Sequence, residues 1–297
     1  MSAPGRLFVR ACGVAKGERA ALKKFENIIL ASDIDGTFIF HGEPLPEVNL
    51  EKIRYFTDNG GHFTFSSGRN HIDIYSVIPS IESYVNTPCV LCNGAFCFDV
   101  RTREMKNVHY LETEHLRPLF NRVRQIAGDR IGFRTSCERG FIYDKNDVAM
   151  KESLEKTKLD RFATAVSFDE LCEGKYFKAV FISDPDLLKS TFEILRNEVP
   201  MYDYTKSNSW LYEVMPKGIN KAYQLRYITD EIRKSNPDVK LYCMGDFDND
   251  ADMLRAADVA MCPENATDEI KKLCSVRLCH AKDGAIADAI RKIEASL

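Results

Sequence analysis

From Asn27 onward the apolar positions follow two alternating periods. NIILAS (27–32) is a short unbroken apolar run that ends abruptly in charge and glycine, the pattern of a buried strand. VNLEKIRYFTDNG (48–60) puts Leu50, Ile53 and Phe56 on one helical face and stops at Gly60. HFTFSS (62–67) alternates as a strand, 69–78 reads as a helix, and 88–92 is a strand closed by Asn93-Gly94. Strand and helix in alternation predict a parallel sheet with helices on both faces. The pattern changes from about 98 to 212, where charges are denser. Strand candidates at 131–134, 141–143 and 176–183 mix there with longer helical pieces at 114–127 and 185–198. After Glu213 the alternation returns: helix 218–234, strand 240–245, helix 249–257, strand 258–262, helix 267–274, strand 276–279 and helix 284–295. The reading is therefore one α/β core built from 26–97 and 213–297, with an α+β domain (98–212) inserted between them. Residues 1–25 stand outside this pattern as an N-terminal extension.

Composition narrows the class of protein. At 297 residues the chain is long enough for two cores. With 44% apolar and 29% charged residues it has ordinary globular composition, not that of a disordered or fibrous chain. The net charge is 41 − 44 = −3, which argues against broad nucleic-acid binding. No apolar run approaches the ~20 residues of a membrane-spanning helix. The N-terminal stretch is basic and broken by glycine and charge, so it reads as a tail or short added helix and not as a signal peptide. The expected location is the cytoplasm, and the ten cysteines are then expected to be reduced, buried thiols. Cys89 and Cys92 have CxxC spacing but lie in an apolar strand run, and the six histidines show no metal-binding spacing.

Four clusters carry candidate chemistry. In Asp33-Ile34-Asp35-Gly36-Thr37 the two acids lie two residues apart, on one side of an extended chain. They stand at the C-terminal end of the first strand, the edge where open α/β sheets bind ligands. Ser66-Ser67-Gly68-Arg69 supplies a hydroxyl and free backbone N–H groups at another strand end, an anion site or a helix cap. Lys217-Gly218-Ile219-Asn220-Lys221 opens a helix with two lysines, either of which could offset a phosphate. Gly245-Asp246-Phe247-Asp248-Asn249-Asp250-Ala251-Asp252 places four aspartates after an apolar strand. An EF-hand counted from Asp246 would need Gly and Glu where Ala251 and Ala257 stand, so that reading fails. Asp246 and Asp250 are the better cation ligands, and Asp248 and Asp252 read as solvated or capping. Acids for a divalent cation, with a hydroxyl and a lysine for an anion, make a phosphoryl-transfer set. No P-loop and no GxGxxG accompanies it.

The order of these motifs resembles the haloacid dehalogenase-like hydrolase superfamily, in its Cof-type branch. DxDGT is matched by Asp33 to Thr37, the strand-end hydroxyl by Ser67-Gly68-Arg69, the helix-opening lysine by Lys221, and GDxxND by Gly245 to Asp250. The resemblance spans roughly 27–295 and implies a Rossmann-like doubly wound core with an α+β cap. It departs from the family pattern at Ser67, where threonine is common, and at Ala222, where glycine is common. By this resemblance Asp33 is the nucleophile that forms an aspartyl-phosphate, and Asp35 is the general acid and base. Ser67 and Lys221 hold the phosphoryl oxygens. Asp33, Asp35 through its carbonyl, Asp246 and Asp250 surround Mg²⁺, with Asp250 either completing the shell or orienting Lys221. Arg69, Asn93 and Asn249 are candidate substrate contacts at the core edge. In the cap, Arg134, Tyr202 and Tyr204 are conceivable contacts, and Trp210 reads as core or hinge packing. Residues 36–46 fit a small flap over the site. The implied activity is Mg²⁺-dependent phosphatase action on small phosphorylated metabolites. A sugar phosphomutase and a non-catalytic metabolite-binding regulator are the alternatives, and neither nucleic acid nor membrane is an expected partner.

Overall fold

A computed structural model describes residues 23–297, so the expected extension before residue 23, with Cys12, lies outside the described residues. Its first elements are β1 (Ile28–Ser32), α1 (Glu47–Asp58), β2 (His62–Phe65), α2 (Ile74–Val77), β3 (Cys89–Leu91), β4 (Phe96–Asp99) and β5 (Glu104–Lys106). There follow α3 (Leu116–Ala127), β6 (Gly132–Cys137), β7 (Gly140–Asp144), α4 (Val148–Lys156), β8 (Ala163–Val166), α5 (Phe168–Glu173), β9 (Lys178–Ile182), α6 (Pro185–Glu198), β10 (Tyr202–Asn208) and β11 (Leu211–Pro216). The chain closes with α7 (Lys221–Arg233), β12 (Lys240–Met244), α8 (Ala251–Ala256), β13 (Val259–Pro263), α9 (Asp268–Leu273), β14 (Val276–Leu278) and α10 (Ala285–Ala295).

The core sheet has the order β14-β13-β12-β1-β2, every pair parallel. β1, an interior strand between β12 and β2, is buried on both faces, which is why NIILAS reads as an unbroken apolar run. Ile28 and Leu30 pack against α1 and α10, through Ile53, Phe56 and Ile290. Ile29 and Ala31 pack on the opposite side against α7, α8 and α9, through Leu225, Leu254 and Ile270. Ser32 pairs with Met244 on one side and with Phe65 on the other, so β12, β1 and β2 end at one edge. A bridge between Ser66 and Val90 brings β3 to that edge as well.

The inserted unit is a second sheet, β10-β11-β9-β6-β7-β8, antiparallel except for β7 against β8. Its crossing points lie later than the expected 98 and 212. Phe96–Asp99 pairs with β3 and Glu104–Lys106 pairs in turn with Phe96–Asp99, and Phe96, Phe98 and Val100 pack in the first core. β11 still belongs to the second sheet as far as Pro216. One face of that sheet carries Phe133, Phe181 and Val214 against α3 and α6. Tyr204 pairs with Val214 and Tyr202 with Pro216, so both tyrosines stand on this helix-covered face. Their hydroxyls donate to backbone carbonyls, Tyr202 to Glu112 at 2.5 Å and Tyr204 to Val199 at 2.8 Å. They pack the insert with their hydroxyls tied down, and both also border the cleft beside α8 and α9.

Two other expectations change, and the buried-thiol reading of Cys89 and Cys92 stands. The helix over 69–78 shrinks to α2, because the Asp73 carboxylate takes the Asn70 backbone N–H at 2.8 Å and holds the segment as a turn. Trp210 is 62% exposed at the tip of the β10–β11 hairpin, where its N–H donates to Asn208 Oδ1. Cys89 and Cys92 are buried thiols, and burial pushes both up to about 12. Among the described residues, no helix is long and apolar enough to cross a membrane.

His71 sits beside Phe96 and Phe98, at ring distances of 5.8 and 5.4 Å. Burial pulls its imidazole down from the usual 6.5 to about 4, against an opposing contribution from Glu138. Between those values the unfolded chain takes up a proton that the folded chain refuses, so stability falls as pH falls through the window. Thermal melts of wild type and His71→Phe between pH 7 and pH 4.5 check this. The variant is expected to lose less melting temperature on acidification.

Candidate active site

The shared strand edge assembles the candidate residues. Asp33 leaves β1 with its backbone N–H on the Met244 carbonyl at 2.9 Å. The chain then turns at Gly36, whose φ is +91° and where a Cβ would lie 2.2 Å from Asp246 Oδ2. Only glycine satisfies both the torsion and the clearance. Thr37 Oγ1 donates to Asp246 Oδ1 at 2.8 Å, and Asn265 Nδ2 donates to the Gly36 carbonyl at 2.7 Å. The DxDGT turn and the loop after β12 are thereby held against each other.

Lys221 is the first residue of α7, capped by Asn220, whose side chain accepts the Tyr223 N–H. Its position depends on Gly94, with φ +101°, where a Cβ would stand 2.1 Å from the Asn220 carbonyl. The ammonium is fully buried and lies 2.6 Å from both Asp33 Oδ1 and Asp250 Oδ1. Burial alone would lower its pKa, but Asp250 and Asp33 hold it above its usual value. Lys217, the other lysine of the motif, is exposed and paired with Asp203 at 2.7 Å. Helix-start position favours Lys221 in the sequence, and the structure gives Lys221 the buried place.

Asp33, Asp246 and Asp250 bring carboxylate oxygens within 4.8 Å of one another. Burial pushes Asp33 up to about 7, opposed by Lys221 and reinforced by Asp250 and Asp35. Burial likewise pushes Asp246 up to about 8, reinforced by Asp33 and Asp250. One lysine does not balance three acids, so the cluster calls for further positive charge. The donors are all hard oxygens, which suits Mg²⁺. Asp250 has little left to give: Oδ1 faces Lys221, and Oδ2 accepts the N–H groups of Asp246 and Phe247 at 2.9 and 3.1 Å. Its geometry is that of a residue orienting Lys221 and the loop. Asp33 Oδ2 and Asp246 Oδ2 are the acceptors left without a hydrogen-bond partner among the described residues. Asp248 is exposed, and Asp252 accepts from Asn220 and Arg255.

Ser67 is buried, and its Oγ accepts the Arg69 N–H at 3.2 Å, which leaves its hydroxyl proton for an incoming oxygen. Asp35 points away from the acid cluster. Its carboxylate, 55% exposed, meets the Arg69 guanidinium at 2.7 and 2.6 Å, so its route to a metal is its backbone carbonyl. The remaining Arg69 nitrogen reaches Asp73 at 3.2 Å. Arg69, expected at the substrate, is instead engaged by two core acids.

The other face of the second sheet, partly covered by α4 through Met150 and Leu154, lies over this edge. Register places Arg134, Lys178 and Glu213 together on it, opposite the face that packs the helices. Lys178 donates to the Gly68 carbonyl at 2.6 Å and to Glu213 at 2.8 Å. Asn93 Nδ2 donates to Glu213 at 2.5 Å, and its Oδ1 accepts from Asn249 at 3.2 Å. The candidate contacts Asn93 and Asn249 thus sit in the seam between the two units. Lys178 and Glu213 escaped the sequence reading, although each is a single charge inside an apolar strand run. A cleft of about 960 Å³ runs from Asn93, Lys221 and Asn249 outward between β10 and helices α8 and α9.

Residues 30–290 match the family described as haloacid dehalogenase-like hydrolase. The chain belongs to the haloacid dehalogenase-like hydrolases. This hydrolase is similar to a Mycoplasma genitalium protein provisionally named a phosphatase, with 26% identity over 268 residues, covering 84% of this chain and 91% of that one. It is 23% identical over 264 residues to the 5-amino-6-(5-phospho-D-ribitylamino)uracil phosphatase of Bacillus subtilis, covering 89% and 94% of the two chains. In fold it matches a Plasmodium vivax protein provisionally described as a HAD/COF-like hydrolase, with TM-score 0.77, 18% identity, and 93% and 97% of the two chains covered. The hydrolase thus shares with that protein a parallel core and an inserted second unit.

Removing one partner of a buried, hydrogen-bonded charge pair strands the others. Lys221→Met is expected to cost about 3 kcal/mol or more of unfolding free energy. Denaturant titration at pH 8, without added metal, measures it.

Proposed function

We propose that this protein hydrolyses the phosphate monoesters of small metabolites, with Mg²⁺, through a phosphoryl group carried transiently on Asp33. The observation that carries the reading is the grip of Lys221 on Asp33 Oδ1. It fixes the carboxylate, covers one oxygen and leaves Oδ2 as the nucleophile. Attack on phosphorus forms the P–O bond of an Asp33 acyl phosphate and breaks the bond to the leaving oxygen. Asp35 supplies the proton that the departing alkoxide needs. In the second half-reaction Asp35 accepts a proton from water as water attacks phosphorus, and the bond to Asp33 breaks. Ser67 and Lys221 donate to the phosphoryl oxygens as charge develops on them. Asp33, the Asp35 carbonyl and Asp246 would hold Mg²⁺, which when bound offsets phosphoryl charge beside the nucleophile.

The inserted sheet supports a leaving group of modest size with polar functions. Asp203, Thr205 and Lys206 of β10 line the cleft from above, and Asn93 and Asn249 do so from the core. A phosphorylated sugar or sugar-like chain fits that chemistry, in keeping with the ribityl phosphate named for the Bacillus subtilis relative.

Phosphate release from a panel of sugar phosphates, ribityl and pyridine-type phosphates and p-nitrophenyl phosphate tests the proposal, with Mg²⁺ and with chelator. Release is expected with Mg²⁺ and is expected to fall by about three orders of magnitude or more in Asp33→Asn. Isomerised sugar phosphate without free phosphate would replace hydrolysis with mutase chemistry. Turnover unchanged in Asp33→Asn would sink the nucleophile assignment.

A further inference from the structure

We infer that Asp73 is a positioning residue for Asp35, acting through Arg69, and that it links the proton-transfer group to the inserted sheet above it. This inference rests on the phosphatase reading for the role of Asp35, and on geometry alone for the link. Asp35 is the most exposed acid of the DxDGT turn, and no backbone donor fixes its carboxylate among the described hydrogen bonds. What fixes it is the Arg69 fork, with Nε at 2.7 Å and Nη2 at 2.6 Å on its two oxygens. A fork orients a carboxylate only if the fork itself is held.

Asp73 holds it. Its Oδ2 accepts from Arg69 Nη1 at 3.2 Å, and its Oδ1 accepts the Asn70 N–H at 2.8 Å. The side chain is 3% exposed, and the turn that carries it is pinned by Asn70 Nδ2 donating to the Cys137 carbonyl at 3.1 Å. Cys137 ends β6 of the inserted sheet, so the turn is tied directly to that unit. Arg134 and Lys178, on the same sheet, also place their positive charges toward Asp73. Asp73 therefore lies between two sets of cations: Arg69 below, which sets Asp35, and Arg134 with Lys178 above. While the inserted sheet lies against the core, the Asn70–Cys137 contact holds the turn that carries Asp73, and Arg69 keeps its fork on Asp35. The chain Asp35–Arg69–Asp73 passes the position of the sheet to the group that handles the leaving-group proton.

The consequence is selective for the leaving group. An alkoxide needs a proton to depart, whereas p-nitrophenolate leaves without one. Asp73→Asn keeps shape and loses the charge that retains Arg69. Its kcat on an alkyl phosphate is expected to fall about 10- to 100-fold, within the range of general acid catalysis, with KM little changed. On p-nitrophenyl phosphate the fall is expected to be much smaller. Arg69→Lys keeps the charge but not the fork, and is expected to show the same contrast while leaving the buried Asp73 in place. It decides the matter if Asp73→Asn does not fold.

A second readout needs no turnover. In a ¹⁵N spectrum the Arg69 Nε–H is expected to exchange slowly in the wild type, and to exchange fast in Asp73→Asn. Equal losses on both esters in a folded variant, or a slow Arg69 Nε–H that survives in Asp73→Asn, would overturn the inference. If the wild type hydrolyses no ester, the phosphatase reading fails, and the Nε–H exchange alone decides whether Asp73 sets the Arg69 fork.

Discussion

A single ammonium group holds the catalytic edge together. Lys221 Nζ lies 2.6 Å from Asp33 and from Asp250, in a place closed to water. Without it, two buried carboxylates would face each other and Asp246 with nothing to offset them. Much of the surrounding architecture serves that contact. Strands β12, β1 and β2 end in register, so Asp33 and the acidic loop arrive together. Gly94 lets the Asn93 turn approach the start of α7, and Gly36 lets the first turn approach Asp246. These two positions admit no side chain because two loops and a helix end meet within a few ångströms.

Much of this was legible in the sequence. The core strands are buried on both faces, so their apolar runs carry no competing signal. The motifs DxDGT and GDxxND fall at strand ends, where a few polar residues after an apolar run stand out. The choice of Lys221 over Lys217 follows from helix position. The inserted unit was less legible. β10 reads YDYTKSN and β8 reads ATAV, edge strands with weak apolar patterns. Tyr202 and Tyr204 could not be ranked as contacts, because register, which sets a strand's faces, comes from pairing partners far along the chain. The helix expected over 69–78 fails for a local reason: Asp73 competes for a backbone donor that a helix would need.

The residues that matter beyond the motifs, Lys178, Glu213 and Asp73, share one property. Each is a charged side chain that a strand or turn carries into a buried place, where a partner from a distant segment meets it. A sequence shows the charge but not the partner. Arg69 shows the converse. Its motif position suggested a substrate contact, yet its donors are already distributed between Asp35 and Asp73.

The inserted sheet has two unlike faces. One buries aromatic rings against α3 and α6, and the other presents Arg134, Lys178 and Glu213 to the core. Parting the sheet from the core along that second face would wet charged and amide groups and leave the aromatic layer dry. Hydration of polar surface lowers heat capacity, whereas hydration of apolar surface raises it. The seam also holds Phe177 and Met215 beside Phe96, so separation of the two units would carry a small heat-capacity change for its area, without the steep temperature dependence of a wholly oily interface.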